Sequence, residues 1–282
     1  MKYSIKFGIC LDNFSVDFVR RKATFEDLVK MAAKMGYQGI EFTPAQMLPS
    51  YPEVLGRDIE QVKELLSKYN MEPFCWNIYL DTGAVTGRDL SENEIHKAVI
   101  QNLIYAKKTG FRVIKTSRAI TARIFQKLIP VCRDLDMKLA VEINATIATS
   151  EDCGKDSIQE FIRIINSEGE RHAGVILDLK SLSLPTTEIA DLLKISIGIY
   201  IQPEMLQNNR DIHQNKRDIQ QSKQDIFQRN QQFLKTAVEA GFSGYLLCRN
   251  GCKSSVRAKA QAEQFLKSCN RILGHTNIEI EH

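Results

Sequence analysis

Two rhythms of apolar and polar positions alternate along this chain. Short, nearly continuous apolar runs suit strands buried on both faces, and longer stretches repeat apolar residues every three or four positions, the spacing of one helix face. The pattern predicts strands near 5–10, 38–43, 72–78, 112–116, 137–143, 173–178, 195–202 and 244–249. It predicts helices near 24–35, 57–69, 91–109, 119–134, 156–168, 186–194, 224–240 and 255–273. The third helix shows its buried face best, with Ile95, Val99, Leu103 and Ala106 at helical spacing.

Three helix-to-strand joints share one grammar: Met35-Gly36-Tyr37, Thr109-Gly110-Phe111 and Ala240-Gly241-Phe242, each followed by an apolar run. Glycine just past a helix takes the left-handed conformation that caps the last turn. Eight βα units in series with short connections predict an α/β fold, a single (β/α)8 TIM barrel over 1–282. An open doubly wound sheet is the alternative, and no glycine-rich phosphate fingerprint follows the first strand to support it.

One segment breaks the regularity. Residues 210–230 hold three near-copies of a seven-residue unit, with Ile212, Ile219 and Ile226 as the repeated apolar position. A coiled-coil seam needs two apolar positions per heptad, so the expected form is a polar helical insertion over 203–230, between strand 7 and helix 7. Its alternatives are a lid or an arm (205–230) for a partner subunit or a second copy of the chain.

Two strands end on an acid. Met137-Lys138-Leu139-Ala140-Val141-Glu142-Ile143-Asn144 and Ala173-Gly174-Val175-Ile176-Leu177-Asp178 each deliver a carboxylate at the strand exit, where a parallel barrel opens onto its site. Composition adds only limits. A net charge of +4, from 38 basic and 34 acidic residues, gives no reason to expect nucleic acid or an anionic membrane. Seven cysteines without paired spacing point to a reducing, cytoplasmic setting and not to a zinc site. No apolar run approaches the roughly 18 residues of a membrane helix, and the first residues lack a signal-peptide core.

With Glu142 and Asp178 in place, the chain resembles the xylose isomerase-like barrels, the superfamily of sugar and sugar-phosphate isomerases and epimerases. Gly39-Ile40-Glu41 and Gly241-Phe242-Ser243-Gly244-Tyr245 carry the likeness further, and Val141-Glu142-Ile143-Asn144 resembles a subgroup that includes C-glycoside deglycosidase catalytic subunits. The resemblance implies a divalent metal, manganese or magnesium, on Glu and Asp of strands 5 and 6, His of strand 7 and Glu of strand 8, with the two glutamates moving a proton. Glu142 and Asp178 match. Tyr200 stands for the histidine and Arg249 for the second glutamate; Ser181 and Asn144 replace two further family histidines.

The expected site is therefore Glu142 and Arg249 as catalytic groups, with Glu41, Asn77, Lys115, Asn144, Asp178 and Tyr200 lining a substrate pocket. Arg249 is expected in the seat of the metal, between Glu142 and Asp178, held by charge-assisted hydrogen bonds. Metal ligation by Glu142 and Asp178 is expected only if an ion binds at all, so the cofactor is either none or a weakly held divalent ion. Glu41 either meets a ligand or pairs with Lys115. Trp76 either stacks on a sugar or is buried, and Cys248 is either a thiol sharpened by Arg249 or core filler. Three functions stand: an isomerase or epimerase acting on a small polyhydroxylated substrate, a non-catalytic ligand-binding or scaffold relative, and a C-glycoside deglycosidase-like subunit.

Overall fold

A computed structural model describes residues 4–80, 87–116, 120–143, 158–168, 171–179, 186–206, 228, 230–250 and 255–274. Eight parallel strands close into a barrel in sequence order, β1 pairing with both β2 and β8. They are β1 Ile5–Cys10, β2 Gly39–Phe42, β3 Glu72–Asn77, β4 Val113–Thr116, β5 Lys138–Ile143, β6 Ala173–Asp178, β7 Ser196–Ile201 and β8 Gly244–Cys248. The long helices of the outer ring are Phe25–Met35, Gly56–Lys68, Glu92–Thr109, Ala122–Asp134, Ile158–Glu168, Thr186–Lys194, residues 230–239 and Ser255–Leu273. Short helical turns at Leu11–Phe14, Ser15–Val19, Pro44–Met47 and Pro203–Leu206 follow strand exits and were not anticipated from periodicity. Most of the expected 203–230 insertion, at 207–227 and 229, lies outside the described residues, and so does Asn144.

The repeated joint has one physical cause. After Phe25–Met35 the N–H of Gly36 donates to Ala33 O (3.0 Å) and that of Tyr37 to Ala32 O (3.2 Å). Gly110/Phe111 and Gly241/Phe242 repeat both bonds. This double bond is the Schellman cap, and it needs the positive φ seen at Gly36, Gly110 and Gly241 (95°, 93° and 79°). The aromatic that follows is buried each time, so one motif both stops a helix and anchors the next strand in the core. Helix starts are fixed as firmly. Thr24 with Asp27 and Ser91 with Glu94 form reciprocal capping boxes.

Two apolar layers result. The larger lies between strands and helices and includes Trp76, whose indole N–H donates to Asn102 on the helix outside it (3.0 Å). Trp76 is fully buried there and does not reach the barrel mouth. The smaller layer fills the barrel interior with Phe74, Val113, Ala140, Ile176, Tyr245 and Leu247. It fits because facing positions are small: a Cβ on Gly39 would lie 2.5 Å from the Tyr245 ring. This packed plug leaves chemistry only at the strands' carboxyl ends. Among the described residues no helix is long and apolar enough to cross a membrane.

Candidate functional site

Register decides which strand-end side chains share a layer. Cys10 is level with Glu41, Asn77 with Lys115, and Asp178 with Tyr200. A register shift between Ile40 and Glu41, where β2 meets β3, sits at this same level. Glu41, Lys115, Glu142, Tyr200 and Arg249 converge on the barrel axis above the apolar plug.

At their centre is the Lys115 ammonium. It donates to Glu41 Oε1 (3.2 Å), to Glu142 Oε2 (3.0 Å) and to the Tyr200 hydroxyl (2.5 Å). The Tyr200 hydroxyl donates to the second oxygen of Glu41. Arg249 Nη1 donates to the second oxygen of Glu142 (2.7 Å), and its guanidinium carbon lies 4.5 Å from the centre of the Tyr200 ring. All four carboxylate oxygens of the two glutamates are therefore engaged by donors from the protein. Three ammonium donors and a rigid guanidinium fork suit this arrangement.

The expectation for Arg249 changes in one respect. The cation seated between two acids is Lys115, and the acids it bridges are Glu41 and Glu142; Arg249 takes the outer oxygen of Glu142. Of the two readings of Glu41, the structure has the ion pair with Lys115. Side-chain exposure grades the cluster outward: Glu41 1%, Lys115 3%, Glu142 16% and Arg249 29%. Arg249 is thus the charge most open to a ligand. Asp178 ends β6, half-buried. Asn77 is half-buried too, its amide donating to Thr43 Oγ1 (3.0 Å).

Electrostatics follow from this geometry. Burial pushes the Glu142 carboxyl up, but Lys115 and Arg249 outweigh it and hold the group down at about 2. Burial pulls Lys115 down, yet Glu41 and Glu142 win and keep it an ammonium beyond its usual range. Burial, then Glu41 and Glu142, push the Tyr200 phenol well up, so it stays a neutral donor. Burial raises the Cys248 thiol to about 12. A thiol so poorly ionised is core filler and no nucleophile.

The metal implied by the resemblance does not fit these residues. A divalent ion on Glu142 and Asp178 would compete with Lys115 and Arg249 for the two Glu142 oxygens, both already engaged. Repulsion from either cation at close range is several kcal/mol in a poorly screened site. Among the described residues no histidine joins the cluster: His172 Nδ1 lies 3.2 Å from Met137 O, at the opposite end of the barrel. Among the described residues no three His, Cys, Asp or Glu side chains are grouped to hold an ion.

One residue beside this layer escaped the sequence reading. Asp12 lies in the turn after β1, and its carboxyl is influenced by Glu41, Arg249, Lys115 and Glu142. Its signal was present, since Ile9-Cys10-Leu11-Asp12 is another apolar strand exit ending on an acid.

Comparison with known proteins gives the site a setting. No family model matches the chain. The 3'-dehydrocarminate deglycosidase alpha subunit of a Microbacterium species is 22% identical over 174 residues, 61% of this chain and 49% of that protein. The C-glycoside deglycosidase alpha subunit of Arthrobacter globiformis is 30% identical over 142 residues, 50% of this chain and 40% of that protein. The matches thus span less than half of either curated relative. Among solved structures, D-psicose 3-epimerase superposes with a TM-score of 0.65 at 11% identity, covering 95% of this chain and 99% of that one. A sugar phosphate isomerase/epimerase from Parabacteroides distasonis gives 0.64 at 9% identity, covering 96% and 94%. Such identities speak for the fold alone, and the fold is clear: the chain is a closed (β/α)8 barrel, an architecture it shares with sugar phosphate isomerases and epimerases of known structure.

Proposed function

We propose that the barrel mouth binds a small polyhydroxylated carbonyl compound and moves a proton on a carbon next to its carbonyl group, with cations of the protein serving where the family resemblance implies a metal. The observation that carries this reading is the fixed pair of positive charges, Lys115 behind Glu142 and Arg249 in front of it. Removing a proton next to a carbonyl throws negative charge onto the carbonyl oxygen. A guanidinium held in advance by Glu142 and the Tyr200 ring, and partly open to solvent, is suited to receive that charge without reorganising. Glu142, clamped as a carboxylate near pKa 2, is a weak base and serves to hold both cations.

The curated relatives support a second reading within the same chemistry. Loss of a leaving group from a keto-sugar also begins with proton removal beside the carbonyl, so a deglycosidase-like elimination would use the same Arg249. Solvent-deuterium exchange tests the shared first step. D-fructose, D-allulose and a 3-keto-glucoside are incubated with the protein in heavy water and read by NMR. Exchange is expected beside the carbonyl of at least one probe, falling by about 10²–10³ in Arg249→Met, the loss typical of one oxyanion donor. Sugar binding without exchange would make the chain a non-catalytic binding module, and neither binding nor exchange would overturn the reading.

A further inference from the structure

Glu142 is too tightly held to carry a proton, Lys115 and Arg249 are locked as cations, and the Tyr200 phenol is committed to Glu41. The proposed chemistry still requires a group that takes a proton and gives it back. We propose that Asp12 is that group, acting through its free Oδ1; the assignment rests on the function proposed above.

Three observations converge on it. First, Asp12 stands two residues beyond Cys10, which is level with Glu41, while Ile9 of the same strand is level with Cys248, the neighbour of Arg249. Asp12 therefore sits at the mouth, above the layer in which the cations lie. Second, its Oδ1 is buried and accepts no hydrogen bond from any described residue. Buried carboxylate oxygens are as a rule hydrogen-bonded, so one that is not is placed to meet a ligand. Third, the structural work of this turn is done next door. Asn13 donates through Nδ2 to Cys248 O (2.9 Å) and accepts at Oδ1 from the Asn250 N–H (2.8 Å), tying the exit of β1 to that of β8. Asn13 thus fixes the turn and leaves its neighbour uncommitted.

The surroundings suit a proton carrier. Burial pushes the Asp12 carboxyl up, Glu41 and Glu142 add to the rise, and Arg249 and Lys115 oppose it. The net rise makes it a stronger base than Glu142. In the step, the Asp12 carboxylate takes the proton from the carbon beside the carbonyl. The C–H electron pair becomes the new C=C bond, and the carbonyl π pair moves to oxygen, where Arg249 meets it. Return of the proton to the same carbon restores the carbonyl compound; delivery to the former carbonyl carbon, with the neighbouring hydroxyl proton passing to the enolate oxygen, gives the isomer, and neither route needs an oxidant or reductant.

The test compares wild type, Asp12→Asn and Arg249→Met in the same heavy-water exchange assay, with calorimetric binding of each sugar and a urea melt alongside. Asp12→Asn is expected to cut exchange by at least about 10²-fold, in the range for general acid–base groups, while sugar affinity changes only a few-fold. It is also expected to fold, since Oδ1 has no hydrogen bond to lose. Exchange that persists in Asp12→Asn overturns the role of Asp12 and leaves the proposed function standing. A variant that no longer folds assigns the carboxyl a structural task and likewise overturns the proposal. Absence of exchange in wild type removes the proposed function and this assignment together.

Discussion

Replacing Lys115 with methionine is expected to destabilise the protein by about 3–5 kcal/mol, the cost of breaking a buried ion pair by removing one partner. Methionine fills much of the volume, so the loss is electrostatic and not a cavity effect. Two glutamates would then face each other, one almost fully buried, with only Arg249 and the Tyr200 hydroxyl to offset them. Urea melts of wild type and Lys115→Met read the difference directly. Adding Glu41→Gln to that variant should restore part of the loss, because the two positions act as one unit. A loss below about 1 kcal/mol, the value of an exposed pair, would mean that Lys115 does not hold this cluster together.

Glu142 gives the second large effect, through pH. Its folded pKa, about 2, lies below the ordinary 4.5 of a free glutamate. A depressed carboxyl pKa stabilises the fold fully above the unfolded value, and that stability is lost as pH falls through the folded one. Up to about 3 kcal/mol should therefore drain away between pH 4.5 and 2. Urea melts across that window in wild type and Glu142→Gln isolate the contribution. The variant, lacking the titrating group, is expected to show a flatter decline and lower stability at neutral pH. Parallel profiles would mean that Lys115 and Arg249 do not grip this carboxylate.

Local pattern made the scaffold legible. Strand and helix bounds follow the sequence reading closely: β5 was expected near 137–143 and runs Lys138–Ile143, and the last helix was expected and found at 255–273. The reason is local chemistry, in the cap glycines, the aromatics behind them and the apolar faces. Site residues were legible as far as strand ends go, since a carboxylate closing an apolar parallel strand has few places to be but the mouth.

What sequence did not settle is which charges meet. That depends on the stagger between neighbouring strands, and on the shift at Ile40/Glu41, neither of which has a local signature. Arg249 was therefore expected between Glu142 and Asp178, whereas the cation that bridges two acids is Lys115, between Glu41 and Glu142. Trp76 illustrates the same limit: a strand-end indole faces inward or outward according to register, and here it turns to Asn102. Asp12 was missed because it lies past the strand proper, in a short turn that periodicity does not reveal.

The central claim is that an ammonium and a guanidinium of the chain itself stand where a divalent ion would otherwise neutralise the barrel-top acids. Calorimetric titration of purified, chelator-treated protein with manganese, paired with thermal melts, tests it most directly. The account predicts no binding tighter than about 1 mM and no shift in melting temperature with 1 mM manganese. One manganese per chain at micromolar affinity, stabilising the fold by about 4 kcal/mol at a thousandfold excess over Kd and lost in Glu142→Gln, would contradict it.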